Sequence, residues 1–349
     1  MSGETLTTQQ VKCIVWDLDD TIWEGILLEG GGNSLRDGIM RVIKELDMRG
    51  ILQSIASRND HQQAMERLES FGIAEYFLYP QINFGNKSTS VRAIADELNI
   101  GIDSIAFVDD QQFERDEVAS LHKEVYCIDA AEIQSIPDMP CMKPRFVTED
   151  SAKRRQMYIE DKKRAAVEER FEGSREEFLS GLNMRFMIRH ATEGDLQRAV
   201  ELTERTNQLN ATGRTYNYDE LNALRTSANH LLYVCSLEDS YGDYGRIGLA
   251  LVEKGETLWT IRLLLMSCRV MSRGVGSIML NFIIRKALDE GKKLQADFVE
   301  TGRNRMMYVT YRFGGFREIE TDGKKSLLHY EEGGPYPGFP DYVEVVHDG

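Results

Sequence analysis

Between Val11 and Asp129 short apolar runs alternate with segments of helical period. "VKCIVWDLD", "ILQSIAS", "SIAFVDD" and "EVYCID" are apolar at successive positions, the mark of strands buried on both faces of a parallel sheet. Between them, "DGIMRVIKELDMRG", "DHQQAMERLESFG" and "NKSTSVRAIADELNIG" repeat apolar residues at helical spacing, with a polar residue at the start and Gly at the end. This alternation predicts a doubly wound α/β domain.

The pattern then changes. "SIPDMPCMKPRF" gathers Pro137, Pro140 and Pro144 and marks a boundary. A charged helical stretch follows over 149–182, weakly amphipathic through Met157, Ile159, Ala166 and Phe171, and reads as a bridge. The expected division is a first domain over 1–140, a linker over 141–182 and a second domain over 183–349. The second begins with the strand "MRFMIRHA" and a helix whose Thr192 and Asp195 fit a capping box. Antiparallel-looking strands "HLLYVCSLED", "RIGLALVEK" and "TLWTIRLLLMSC" come next, then a Gly-containing turn and the helix "GSIMLNFIIRKALDEG", an α+β arrangement.

Composition narrows the possibilities. A chain of 349 residues is too long for one ordinary core and suits two domains of roughly 150 residues. Its net charge of -15 argues against non-specific nucleic-acid binding and against docking on anionic membranes. An acidic carrier protein would need a local basic patch. The amino terminus "MSGETLTTQQVK" is polar, and no run approaches a membrane span. Five scattered cysteines form neither a disulfide framework nor a metal-type pair, so a cytoplasmic location with reduced thiols is expected.

Candidate chemistry begins where the first strand ends. "VWDLDDTIWEG" sets Asp17, Asp19 and Asp20 beside one another, an arrangement that is either a solvated acidic turn or a site compensated by a cation. The ends of the other runs supply the rest: Ser57, Lys87 at a helix start, and Asp109 with Asp110. Carboxyl ends of strands are where open α/β sheets bind ligands. Taken in order, Asp17-x-Asp19-x-Thr21, Ser57, Lys87 and Asp109-Asp110 resemble the four motifs of the haloacid dehalogenase superfamily. That resemblance implies Asp17 as nucleophile and Asp19 as general acid and then base. It implies Mg²⁺ held by Asp17, the Asp19 carbonyl, Asp109 and, through water, Asp110, with Thr21, Ser57 and Lys87 on the phosphoryl group. The short gaps from Asp17 to Ser57 and from Ser57 to Lys87 leave room only for a flap, "WEGILLEGGGNSLRDG", and an open site suits a large or protein-tethered substrate. Arg58 is a candidate for a substrate carboxylate or phosphate, or else a surface residue of a helix start.

The second domain resembles the Gcn5-related N-acetyltransferase fold, with Arg273-Gly274-Val275-Gly276 as its phosphate or pantetheine turn. "SCRVMSRGV" and "RTNQLNATGRTY" resemble signature segments of the FkbH-like proteins, which join these two domains in polyketide pathways. Ser272, Gly276, Gly213 and Arg58 depart from the residues usual in that family. The resemblance implies an enzyme that takes 1,3-bisphosphoglycerate, removes phosphate and delivers D-glyceryl as a thioester to an acyl carrier protein. An acyl phosphate is best accepted by a thiolate, which leaves the 3-phosphate to the aspartates and gives the acyl carbon to a cysteine. Cys13, Cys127 and Cys235 fall in strands and read as small buried hydrophobes, and Cys141 falls in the linker. Cys268 lies at a strand end beside Arg269 and close before a helix, so it is the candidate thiol, with a core cysteine as the other reading. Asn207, Gln208, Asn210, Thr212 and Asn304 are candidates for the acyl hydroxyls, and Arg269, Arg273, Gly274 and Gly276 for the pantetheine. Three alternatives stand beside this reading: a phosphatase fused to an acetyl-coenzyme A-dependent N-acetyltransferase, a second domain that only docks a carrier, and a plain small-molecule phosphatase, which would leave about 200 residues without a role.

Overall fold

The computed structural model describes residues 10–331, 333 and 336–348, so the polar stretch 1–9 lies outside the described residues. The chain divides into two compact units, the second starting at Glu160. No helix among the described residues is long and apolar enough to cross a membrane.

The first unit runs β1 (Cys13–Trp16), α1 (Ile39–Met48), β2 (Leu52–Ser57), α2 (His61–Ser70), β3 (Gln81–Ile82), α3 (Lys87–Glu97), β4 (Ile105–Asp109), α4 (Gln112–Leu121) and β5 (Tyr126–Asp129). Its strands pair in parallel in the order β3-β2-β1-β4-β5. This is the doubly wound sheet expected from the alternation. The two-residue period of a strand explains why β1 is apolar throughout. Ile14 and Trp16 face the core that holds Val42 and Leu46 of α1, while Cys13 and Val15 face the one holding Val91 of α3 and Val118 of α4. Trp16 and Phe107 are wholly buried, and truncating either to Ala would cost about 3–5 kcal/mol. The expectation of a buried strand is corrected at β5. As an edge strand it exposes Tyr126 and leaves Cys127 half-buried.

Next come α5 (Glu149–Ala152), α6 (Arg154–Glu169) and α7 (Arg175–Gly181). The stretch read as a linker is packed structure. Arg155 pairs with Asp47 at 2.9 Å and the Tyr158 hydroxyl donates to the Leu98 carbonyl at 3.2 Å, both within the first unit. From Glu160 on, α6 belongs to the second unit, where the Arg164 side chain is 1% exposed and donates to Asp161 at 2.9 Å and to Asp239 at 3.0 Å. Its guanidinium lies 4.1 Å from the centre of the Tyr244 ring. The face expected from periodicity is not what is buried there: Ala166 and Phe171 are exposed.

The second unit continues with β6 (Met184–His190), α8 (Leu196–Arg205), α9 (Tyr218–Thr226), β7 (His230–Asp239), β8 (Gly242–Lys254), β9 (Leu258–Met266), α10 (Ile278–Asp289), β10 (Lys293–Val299), α11 (Arg305–Phe313), β11 (Phe316–Asp322), β12 (Lys325–Tyr330) and β13 (Val343–His347). The strands form one mixed sheet in the order β11-β12-β10-β9-β8-β7-β6-β13. Neighbours are antiparallel except β9 with β10 and β6 with β13. The parallel β9–β10 pairing stops at Ala296 opposite Ile261. Beyond it the chain 209–211 lies between the two strands: Ala211 N–H donates to Leu264 and Val299 N–H to the Ala211 carbonyl, each at 3.0 Å. The segment "RTNQLNATGRTY" thus fills the place where two strands part. The Thr192–Asp195 capping box forms as expected, Thr192 N–H donating to Asp195 at 2.8 Å.

Candidate functional site

In the first unit the chain stays bound to the sheet one residue past β1, since Asp17 N–H donates to the Val108 carbonyl at 2.9 Å. It then coils around the Leu18 carbonyl, which accepts from the amides of Thr21, Ile22 and Trp23. That coil buries the Asp17 carboxylate and brings it to the end of β4, where Asp109 is fully buried. Lys87, the first residue of α3, reaches both: its Nζ lies 2.7 Å from Asp17 Oδ1 and 2.5 Å from Asp109 Oδ2. The ligand atoms of Asp17, Asp109 and Asp110 lie within 4.8 Å of one another.

The electrostatics follow from that crowding. Burial raises the Asp17 carboxyl, Lys87 pulls it back and Asp109 adds repulsion, which together leave it at about 6. Burial likewise raises Asp109 and Asp110. Burial alone would lower Lys87, but the charges of Asp17 and Asp109 outweigh it and the ammonium is held. One cation therefore faces three carboxylates. Asp110 Oδ1 and Thr21 Oγ1 are buried without a hydrogen-bond partner. Orphaned oxygens beside an uncompensated acidic cluster are what a hard divalent cation and a phosphoryl group would satisfy, so the residues present fit Mg²⁺.

Asp19 is set apart from this cluster. Its Oδ1 accepts from Trp23 Nε1 at 2.7 Å and from Leu27 N–H at 3.0 Å, and its Oδ2 accepts from Asn59 Nδ2 at 3.0 Å. Its side chain is not among the three clustered carboxylates. Two of those donors belong to the expected flap, a small folded segment closed by an antiparallel bridge between Trp23 and Leu35. Asn59 is the residue that sequence reasoning passed over. It sits in "SRND" two residues past Ser57, 1% exposed, and the sequence marks only that this segment follows a site-forming strand. Ser57 is buried at the end of β2 as expected. Arg58 is exposed, as its surface reading has it, and its guanidinium pairs with the buried Glu114 at 3.2 Å and donates to the Gly85 carbonyl at 3.3 Å.

In the second unit Ser267 intervenes between β9 and Cys268, which begins the 3-10 helix Cys268–Arg273 and is half-buried. The next α-helix, α10, starts only at Ile278, so its amino terminus is not directly behind the thiol. Arg269 donates to the Tyr244 carbonyl at 3.0 Å. Arg273 is buried beside Glu168 and Asp161, at 3.4 and 3.8 Å, which corrects its expected availability to a pantetheine. Gly274 caps the 3-10 helix with φ 68°, and a Cβ there would stand 2.3 Å from the Tyr342 hydroxyl, so a side chain is excluded. At Gly276 a Cβ would meet nothing within 4 Å.

Two members of the expected acyl-binding set are also corrected. Asn210 is fully buried, and its Oδ1 accepts from the amides of Thr212 and Gly213 at 3.2 and 2.9 Å. Asn304 is fully buried too; its Nδ2 donates to the carbonyls of Asn210 and Val299 at 2.9 Å each, and its Oδ1 accepts from Thr301 N–H. Both amides hold backbone in the gap between β9 and β10. Asn207 and Gln208 are half-buried. Thr212, together with Arg214, Tyr216, His230, Arg262 and Lys325, lines a cavity of about 460 Å³. Of the acyl and pantetheine candidates, Thr212 is the one that lines it.

No family model matches the sequence, and no curated protein does. Among solved structures, the chain is similar to the N-terminal part of protein BF1531 from Bacteroides fragilis, which contains a phosphatase domain and is complexed with Mg. The identity is 29%, the TM-score 0.33, and the match covers 36% of this chain and 38% of that one. It is also similar to the PaiA N-acetyltransferase of Thermoplasma acidophilum in complex with coenzyme A, at 13% identity and TM-score 0.36, over 42% of this chain and 98% of that one. The ribosomal-protein-S18-alanine N-acetyltransferase of Escherichia coli is similar at 15% identity and TM-score 0.33, over 44% and 99%.

Proposed function

We propose that this chain is a bifunctional glyceryl transferase and phosphatase. It would act on 1,3-bisphosphoglycerate and load D-glyceryl as a thioester onto an acyl carrier protein. What carries the phosphatase half is one observation: Lys87 between two buried aspartates, with Asp110 alongside and Asp19 held apart by three donors.

In this reading an Asp17 oxygen attacks the phosphorus of the 3-phosphate, forming an aspartyl phosphate as the P–O bond to the glyceryl carbon chain breaks. Asp19 gives its proton to the departing alkoxide. It then takes one from the water that attacks the aspartyl phosphate, which releases inorganic phosphate and restores Asp17. Lys87 holds Asp17 ionised and offsets phosphoryl charge, and the Thr21 and Ser57 hydroxyls donate to phosphoryl oxygens. Asp17, Asp109, Asp110 and the Asp19 carbonyl would hold Mg²⁺, whose chemistry is neutralisation of phosphoryl charge.

The acyl half rests on Cys268. Its thiolate attacks the acyl phosphate carbon, forming the C–S bond as the C–O bond to phosphate breaks. A carrier pantetheine thiol then takes the glyceryl group and frees Cys268. The lone glycerate unit is small and hydroxylated, and Thr212, Arg214, Arg262 and Lys325 offer hydrogen-bond donors to such a group in the wall of the cavity, although Cys268 is not among its lining residues.

The deciding measurement is intact mass after exposure to 1,3-bisphosphoglycerate and Mg²⁺, with Cys268→Ala in parallel. A hydroxylamine-labile glyceryl or phosphoglyceryl increment on the wild type alone supports the covalent step. If Cys268→Ala still loads a carrier, direct transfer to pantetheine replaces it. Acetyl transfer from acetyl-coenzyme A to an amine, with no glyceryl loading, would overturn the whole reading.

A further inference from the structure

From Thr301 to Arg317 the sequence holds Arg303, Arg305, Arg312 and Arg317 and no acidic residue, in a chain whose net charge is -15. Helix α11 lies within this run. Met307 and Tyr311 are buried in the core of the second unit, which fixes how the helix is turned. The opposite stripe, at spacings of one, three and four, consists of Arg305, Met306, Val309, Arg312 and Phe313. Phe313 is 90% exposed and Met306 49%. Arg305 and Arg312 are exposed and make no ion pair with a described residue, although Arg312 lies in the field of Glu318. Arg317, by contrast, is paired with Glu331 at 2.5 Å.

A helix that turns a phenylalanine and a methionine to water between two exposed arginines that form no ion pair with a described residue is built to be covered. We propose that this stripe of α11 is the docking face for an acidic protein helix, that of the carrier which the proposed function requires; to that extent the inference rests on that reading. Charge complementarity selects the occupant. Screening confines the arginine field to about 8–10 Å, so a short acidic helix feels the stripe while a long polyanion or an anionic membrane meets the negative remainder of the chain. Phe313 supplies the apolar anchor and the arginines the orientation.

The test uses the full chain and a purified holo acyl carrier protein of net negative charge, with affinity read by calorimetry or fluorescence anisotropy. Arg305→Glu with Arg312→Glu is expected to weaken binding at least about tenfold and to flatten its salt dependence. Phe313→Ala should weaken it comparably, while the charge-conserving pair Arg305→Lys with Arg312→Lys should retain most of it. Circular dichroism and melting confirm that each variant is folded. Unchanged affinity in the charge-reversed variant overturns the proposal, as does absence of binding by the wild type. It is equally overturned if the variants lose only vesicle or nucleic-acid binding, or only self-association. Loading separates the two ideas. A wild type that binds the carrier through these arginines but never loads it keeps the docking face and removes the glyceryl reading. Loading with unchanged KM in the charge-reversed variant does the reverse.

Discussion

At the scale of single residues, the first site separates two carboxylates by their surroundings. Asp17 is crowded by burial and by Asp109, and Lys87 keeps it in place. Asp19 is held by an indole, a backbone amide and the amide of Asn59. A group that must both give and take a proton needs a fixed direction, so Asn59 acts as a positioning residue. Asn59→Ala is expected to lower kcat for a small phosphoester roughly ten- to a hundredfold with KM little changed. Asn59→Asp should lower it further by facing one carboxylate with another. If instead melting falls while kcat per folded molecule holds, Asn59 is structural only. The acids of this site were legible because they occur as a set at the ends of apolar runs. Asn59 was not, because nothing in a single sequence says which neighbour of Ser57 turns inward.

At the scale of elements, apolar periodicity located β1, β2, β4, β5 and α1 to α3 in the first unit and β6 to β9, α8 and α10 in the second, but not the two-residue β3 or the strands β10 to β13, and it was silent on buried charge. Arg164 in α6 reads as one more solvated residue of a charged helix, yet Asp161, Asp239 and the Tyr244 ring enclose it. Asp195 is a second case. It was expected as a cap, and the structure adds Arg189 at 2.6 Å and Arg246 at 2.6 Å from β6 and β8. Burial alone would raise its carboxyl, but hydrogen bonds from Arg189, Thr192 and Arg246 hold it well below the usual carboxylate range. A lowered folded value stabilises the fold above the unfolded value, about pH 4, and that contribution is lost as pH falls from there towards the folded value. Asp195→Asn should therefore destabilise the second unit by about 2 kcal/mol near neutrality. That is less than the 3–5 of a fully buried pair, because both arginines are partly exposed. Urea titrations at pH 7 and pH 3 would check this: the gap between wild type and variant must narrow in acid, and a constant gap would contradict the assignment.

At the scale of the whole molecule, the two units were legible from the switch between alternating and antiparallel patterning, while the border was not. Pro137, Pro140 and Pro144 drew attention to a stretch whose neighbours fold onto the first unit, and the division falls after Ile159, inside a helix. Prolines report where a chain bends, whereas the border depends on which core each turn of α6 joins. The apolar clusters on the two faces of the first sheet share no residue with the cluster of the second unit. Each unit therefore has its own reason to unfold cooperatively, and calorimetry of the full chain is expected to resolve two transitions. Mg²⁺ stabilises only the state that holds the Asp17, Asp109 and Asp110 cluster together. At a hundredfold excess over Kd this is worth about 2.7 kcal/mol, which should raise one transition by several degrees and leave the other in place. Asp109→Asn should abolish that shift, since it removes one of the three clustered carboxylates. A uniform rise of both transitions, or a shift that survives in Asp109→Asn, would place the cation elsewhere. Repeating the scan in chelator fixes the baseline, because relief of the three-carboxylate repulsion is what the ion supplies.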